Sequence, residues 1–422
     1  MRSSTTRSSP KSTVYRPKTT RRESGPSSTR SAPRSSRDAE MADPDFYISE
    51  AQRELQRNLR ELVSKEITPI AATCDAEERF PVELFPKLGA LGYIGLGFPE
   101  EVGGSGGTHL DYAILCEELA YGSAGIALGF YVHMALACAA LEAFASEGIK
   151  KTWLPAALRG DRIGAWAFAE AGAGSDAGSV ATRAVADGDG YVLNGSKLFI
   201  TNGPIADFFV VVASTKPEQR IKGLSLFLVE RGRAGFRVEG ALSKLGVRAS
   251  EMAELAFEDC RVPRENLIGR EDRGFIDALR TLTLGRIASA AFSTGVARAA
   301  FETTLAHAAE REQFGQPIGS FQAVRFGIAD MAVQIEAGRL LCHRAAIAAD
   351  RGLPHGREAN MAKLYATETC TRIVERALHY NGAAGFMSES PIQRFYRDCK
   401  VFELGEGSSE LQRDMIAREI GL

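Results

Sequence analysis

Phe208-Phe-Val-Val-Val-Ala213 and Leu224-Ser-Leu-Phe-Leu-Val-Glu230 are two apolar, β-branched and aromatic runs with no helical pattern between them. Their texture is that of buried strands. Working outward, Tyr191-Val-Leu193, Leu198-Phe-Ile-Thr201, Phe236-Arg-Val-Glu239 and Glu254-Leu-Ala-Phe-Glu258 read the same way, and Asp187-Gly-Asp-Gly190 reads as a hairpin turn. Strands that follow one another without intervening helices exclude a doubly wound dinucleotide-binding sheet. The expectation is a central antiparallel β domain over 161–272.

On both sides the period changes to that of helices. Leu55, Leu59, Leu62 and Val63 recur at helix spacing before the strands; Ile287, Ala291, Val296, Ala300 and Ile328, Met331, Ile335, Leu340 do so after them. The predicted architecture is therefore α+β: a helical domain over 41–160, the β domain, and a helical bundle over 273–422. Gly95–Gly107 is glycine-rich but lacks both the lysine and the strand-to-helix frame of a phosphate loop, so it reads as a connection. Gly125–Leu141 carries no formal charge and imitates a membrane span. It is short, alanine-rich and without basic flanks, which predicts a buried helix with His133 as a satisfied core histidine.

A net charge of -2 argues against nucleic acid or an acidic membrane as the partner. The seven cysteines are scattered and contain no Cys-x-x-Cys pair, and the six histidines form no close ligand spacing. No metal site and a reducing compartment are expected. Residues 1–40 differ from the rest, with ten basic residues, three acidic ones and almost nothing apolar. Three readings compete: a transit peptide, a basic nucleic-acid arm, or a segment upstream of a true start at Met41. The last two leave a cytoplasmic protein, the first one of the mitochondrial matrix.

The chemistry concentrates near the carboxyl terminus. In Arg397-Asp-Cys-Lys-Val-Phe-Glu-Leu-Gly-Glu-Gly-Ser-Ser-Glu-Leu-Gln-Arg413 a helical pattern breaks at Gly405-Glu406-Gly407 and restarts with Ser408 as N-cap. Two glycines permit unusual backbone angles and clear space around the carboxylate of Glu406, which suits a base. A solvated glutamate in an interhelical turn is the bland alternative.

Several separate motifs resemble the acyl-CoA dehydrogenase family, over essentially all of 45–422. Phe168-Ala-Glu-Ala-Gly-Ala-Gly-Ser-Asp176 is similar to its first flavin loop and Asn194-Gly-Ser-Lys-Leu-Phe-Ile-Thr-Asn-Gly203 to its second. Arg311-Glu-Gln-Phe-Gly315 with Gln322 resembles its intersubunit flavin site, and Gly382–Phe386, Arg397-Asp398 and Glu406-Gly407 its carboxyl-terminal signature. The resemblance implies FAD as cofactor, held by Trp166, Phe168, Ala169, Ser175, Phe199, Thr201, Arg311, Phe314, Gln322, His379, Gly382, Ser408 and Glu410. Thr201 would lie near the flavin N5, and Arg311 would reach the cofactor of a neighbouring subunit. It implies substrate contacts from Ser175, Leu282, Arg286, Gly407 and Arg418, a homotetramer with a dimer as alternative, and an electron-transfer flavoprotein as acceptor.

Its implied reaction is α,β-dehydrogenation of an acyl thioester, with Glu406 as the α-proton base and the flavin as hydride acceptor. Such a base needs a pKa raised by burial, and the developing enolate needs hydrogen bonds, which the resemblance assigns to the Glu406 amide and a ribityl hydroxyl. Some members carry the base instead on the helix holding Leu282–Ile287, where this chain has Gly285. There are departures: Ala169 and Ala171 replace Thr and Pro, His379 a Gln, Ser408 and Glu410 a Thr and a Gln, and Thr283 an Asp that with Arg286 commonly helps hold coenzyme A. The last leaves an acyl carrier protein as an alternative carrier. A flavin monooxygenase of the same fold and a non-catalytic interaction protein are the rival classes. Phe130 and Tyr131 hint at a short pocket.

Overall fold

Six helices lead into the sheet: α1 (Glu50–Leu62), α2 (Ala71–Glu77), α3 (Leu84–Ala90), α4 (His109–Gly122), α5 (Ala124–Phe144) and α6 (Glu147–Leu158). The computed structural model describes residues 47–422, so the three readings of 1–40 fall outside the described residues. Thr108 and Asp111 start α4 with a reciprocal capping box. The apolar helix α5 is almost wholly buried in the protein, as its missing basic flanks predict. His133 sits at its centre, fully buried, in a stretch of wider π turns, Val132–Cys138. Gly164 N donates to its Nδ1 (2.9 Å), so the ring proton belongs on Nε2, which donates to the Ala157 carbonyl (3.0 Å). Both ring nitrogens are satisfied, and burial pushes the pKa down to about 4.

Eight strands follow: β1 (Gly164–Ala167), β2 (Arg183–Asp187), β3 (Gly190–Thr201), β4 (Phe208–Ser214), β5 (Leu224–Glu230), β6 (Phe236–Ala241), β7 (Met252–Pro263) and β8 (Leu267–Ile268). Their order is β6-β7-β3-β2-β4-β5-β8, with β1 also paired to β4. Most pairings are antiparallel, but β1 runs parallel to β4 and β2 meets β4 in parallel at Arg183–Ser214. The sheet is thus mixed at β4, because β1 enters it directly from α6 and the β2–β3 hairpin is inserted before β4. Every residue of β4 is buried, and all of β5 but its last. That double-sided burial explains why these two runs read as continuously apolar instead of alternating.

The carboxyl-terminal bundle consists of α7 (Gly274–Glu310), α8 (Gln322–Asp350), α9 (Gly356–Phe386), α10 (Pro391–Asp398), α11 (Lys400–Leu404) and α12 (Ser409–Glu419). The long α7 is its axis, packing on α4, α8, α9 and β5. Between α4, α7 and α8 lies a buried charge network: Arg298 donates to Glu117 (2.7 Å) and Glu118 (2.5 Å), and Arg339 to Glu117 (2.9 Å). The guanidinium groups hold the Glu117 carboxyl well below the usual range despite its burial. The Arg397-Asp398 pair locks all three layers together. Arg397 pairs with Asp75 of α2 and donates to the Leu245 carbonyl (3.2 Å), while Asp398 accepts from Val247 N (2.5 Å). A methyl on Gly246 would come within 2.0 Å of the Arg397 carbonyl, so only glycine allows this approach.

Candidate active site

Glu406 stands in the break between α11 and α12. The glycines do not act as the sequence suggests: Gly405 has an ordinary φ of -70°, Gly407 takes +89°, and Glu406 itself adopts +60°. The correction has a physical reason: Ser408 must cap α12 (its Oγ accepts from Leu411 N, 3.5 Å), so the chain reverses over Glu406 and Gly407, after Gly405 has closed α11. A non-glycine residue in the left-handed region persists only where its surroundings hold it. Here three side chains do. Gln412 Nε2 donates to the carbonyls of Glu406 (3.1 Å) and Gly407 (3.0 Å), and Arg286 Nε to that of Glu406 (3.4 Å). Lys363, fully buried on α9, donates to Gly407 (2.6 Å) and Glu403 (3.4 Å).

This places the Glu406 carboxylate inside the protein although its backbone is partly open. Its Oε2 is buried with no hydrogen-bond partner. Burial raises the pKa; the Tyr131 phenol, Arg286 and Lys363 oppose that without cancelling it. Space for it comes from Gly285 on α7: a methyl there would stand 2.6 Å from the Tyr131 hydroxyl and 2.7 Å from Glu406 Oε2. A side chain at position 285 would therefore collide with both groups.

The flavin-type motifs assemble on the sheet. Lys197 pairs with Ala256's neighbour Leu255 and Ile200 with Ala253, which leaves Leu198 and Phe199 opposite the single residue Glu254. This bulge gives Phe199 a φ of +62° and turns its ring outward, 60% exposed. Trp166 on β1 and Thr201 on β3 are buried, at 8% and 9% exposure. Phe168 meets Trp166 edge to face, with centroids 6.5 Å apart. The loop that follows is open: a methyl on Gly172 or Gly174 would touch nothing, and Ser175 is exposed. An outward aromatic beside a hydroxyl and a bare loop fits a planar cofactor ring. Asn202 ties this face to α5, donating to the carbonyls of Gly129 (2.8 Å) and Gly164 (3.2 Å). Two residues beyond Gly129, Tyr131 faces Gly285 and Glu406, so a single turn of α5 has contacts with both places.

The remaining predicted residues are not brought to that place. Arg311, Phe314, Gln322, His379 and Gly382 are all exposed, Phe314 at 93%. Phe314 (φ +52°) and Gly382 (φ +58°) have left-handed backbone. Glu410 is exposed and Ser408 serves as the α12 cap. Leu282 is half-buried; Arg286 is buried and directed to the Glu406 carbonyl; Arg418 is exposed and pairs with Asp414 (2.8 Å). The Ala169 carbonyl accepts from Leu198 N (2.9 Å). Thr283 returns its hydroxyl to the Leu279 carbonyl (2.9 Å).

Sequence reasoning missed the groups that hold these parts still. Lys197 and Glu170 form a buried ion pair (2.7 Å), and Glu170 also accepts from Ala181 N (2.6 Å) and Thr182 N (3.1 Å). With Lys197 donating to the Phe168 carbonyl (3.0 Å), the pair joins the two flavin-type motifs. A lysine directly before the apolar run Leu198–Thr201 was the available signal. For Lys363 it was a lone charge among Ala359, Ala362 and Ala366.

The sequence matches the profiles of the acyl-CoA dehydrogenase N-terminal domain over 49–161, middle domain over 165–260 and C-terminal domain over 272–421. It is 40% identical over 378 residues to the short-chain specific acyl-CoA dehydrogenase of Clostridium acetobutylicum, covering 89% of this chain and 99% of that one. The chain belongs to the acyl-CoA dehydrogenase family. It is an FAD-dependent oxidoreductase. The butyryl-CoA dehydrogenase from Megasphaera elsdenii superposes with a TM-score of 0.87 at 34% identity, over 89% of this chain and 99% of that one. A prolyl acyl carrier protein oxidase does so with 0.86 at 30% identity, over 89% and 100%. The chain is thus an enzyme of the acyl-CoA dehydrogenase type, and the interaction-protein reading falls away.

Proposed function

We propose that this enzyme oxidises short, saturated acyl-CoA thioesters to their trans-2-enoyl products, with Glu406 taking the α proton. The observation that carries the reading is the Glu406 carboxylate: buried, unpartnered at Oε2, raised in pKa and held at φ +60°. A carboxylate left without a partner in the free protein has its lone pairs available for a proton of the substrate. The Glu406 amide donates to no group among the described residues, which leaves it for the thioester oxygen as enolate charge develops. Phe199, Trp166, Thr201 and the 168–175 loop would hold FAD, which supplies the acceptor for the hydride leaving the β carbon. The acceptor of its electrons is an electron-transfer flavoprotein.

The exposed set belongs to a second copy. Phe326, Val333 and Leu340 recur every seven residues on α8 and are 54%, 70% and 45% exposed, a stripe that suits helix packing between subunits. Arg311 and Phe314 then reach the cofactor of the neighbour, and a homotetramer is the expected assembly. One observation favours a second carrier: the Thr283 hydroxyl is spent on its own helix and Arg286 on the base loop, so neither stands free for coenzyme A. An acyl carrier protein is the alternative donor. The test is anaerobic bleaching of the oxidised flavin band by butyryl and longer thioesters, on coenzyme A and on a carrier protein. Fastest bleaching by butyryl-CoA supports the main reading; faster bleaching by the same acyl group on the carrier moves the assignment there; no bleaching by any thioester overturns both.

A further inference from the structure

The two bulky residues of α5 point in opposite directions. Phe130 packs into the amino-terminal core, 4.6 Å from Phe85 and 5.6 Å from Phe80 between centroids. Tyr131 faces the base. Its ring stands edge-on against Phe292 of α7 (5.3 Å, 85°), and Phe292 stacks on Phe402 of α11 (5.9 Å, 13°), just before the base loop. The tyrosine is 4% exposed, yet its hydroxyl has no hydrogen-bond partner, and neither has Glu406 Oε2. Both oxygens press on the same spot, the vacant side of Gly285. A buried hydroxyl without a partner is costly unless something that enters the site meets it.

We propose that Tyr131 is the specificity residue of the acyl pocket: it blocks the acyl chain shortly beyond the β carbon and sets its phenol against the Glu406 carboxylate. The inference rests on Glu406 as the base. An acyl group whose α carbon lies against Oε2 must send the rest of its chain past whatever adjoins that oxygen, and the adjoining group is an aromatic ring pinned by two others. Short, compact acyl groups fit; extended ones meet the ring. The phenol has a second effect: although the two oxygens are not hydrogen-bonded in the free protein, the hydroxyl faces the carboxylate, favours its ionised form and works against burial. The charged and titratable groups facing Glu406 are Tyr112 from α4, Tyr131 from α5, Arg286 from α7 and Lys363 from α9. Burial keeps both phenols protonated, so Tyr131 presents a hydroxyl to the site throughout the working range.

Size and hydroxyl are separable. Holoenzyme carrying Tyr131→Ala should shift its preference toward octanoyl- over butyryl-CoA by at least about tenfold, as the gain of room for methylenes in an apolar pocket implies. Tyr131→Val should fall between. Reading the preference as thioester binding by calorimetry, in a Glu406→Gln background, makes it independent of proton removal, so it stands even if Glu406 is not the base. Tyr131→Phe should keep the preference and move the pH profile of flavin reduction to higher pH. An unchanged preference in both Ala and Val variants overturns the pocket assignment. An unchanged profile in Tyr131→Phe overturns the role of the phenol.

Discussion

The neighbourhood of Glu406 and the edge bearing Arg311, Phe314 and His379 are both assembled from predicted site residues, yet they are opposites in their physics. Around Glu406, four helices enclose a carboxylate whose loop carbonyls are held by Gln412, Arg286 and Lys363. At the other edge every predicted residue is exposed, and Phe314 projects 93% of its surface to solvent. The first is finished by one chain; the second acquires neighbours only from another molecule. Substitutions in the first should act on chemistry and stability, and those in the second on cofactor retention and assembly.

The sharpest test of the enclosed site is Glu406→Gln. The amide keeps the shape and loses the proton affinity, so flavin reduction by a short-chain thioester should fall by about 10⁴-fold or more, while the yellow colour persists. Anaerobic stopped-flow bleaching measures it. Near wild-type rates would remove Glu406 as base and dissolve the contrast.

Next comes the pair beneath the flavin-type face. Lys197→Ala leaves Glu170 charged, buried and unpaired, which should cost about 3–5 kcal/mol in denaturant unfolding. Flavin content should drop with it, since the 168–170 segment loses its anchor on β3. Adding Glu170→Gln should recover part of the loss; no destabilisation in the single variant would show the pair to be dispensable.

Arg311→Ala probes the open edge. The monomer fold should be untouched, because the side chain is exposed and paired to nothing that the fold uses. FAD should bind about 2 kcal/mol more weakly, the scale of one charged hydrogen bond, with dialysis releasing flavin faster than from wild type. If stability falls and flavin affinity does not, the edge is structural and the comparison fails there.

How much of this was legible in the sequence follows the same division. Periodicity located the helical and β segments because the apolar faces are long. The site motifs were legible through their resemblance to the family, and the structure shows a shared local feature: Phe199, Phe314 and Glu406 all have left-handed backbone, at +62°, +52° and +60°. What stayed hidden depends on contacts across the chain. Nothing local to Tyr131 says that it faces Glu406, 275 positions away in the chain by their residue numbers, while its neighbour Phe130 faces the core. The freedom expected of Gly405 goes unused, because whether a turn places its positive φ one residue later is settled by the capping of α12.

The smallest effect concerns stability, and its sign separates the two regions. Burial raises the Glu406 pKa in the folded protein, so the folded state binds that proton more tightly than the unfolded chain does. Below the ordinary glutamate pKa both states are protonated and the stabilising contribution is complete; it is lost as pH rises through the higher folded value. Ionised Glu406 is thus a liability at neutral pH, one that the attraction of Arg286 and Lys363 lessens without removing. Glu406→Gln should therefore have a higher Tm than wild type at pH 7 to 8, and the gap should close as the pH falls toward about 4. The exposed Glu410, four residues on, supplies the contrast in sign: hydrogen bonds at the start of α12 hold its carboxyl below the ordinary range, so Glu410→Gln should not raise Tm at pH 7 to 8. A Glu406→Gln protein that melts below wild type at every pH would show the carboxylate to be a net structural contact, and the strained loop to be built around an ion pair instead of a base.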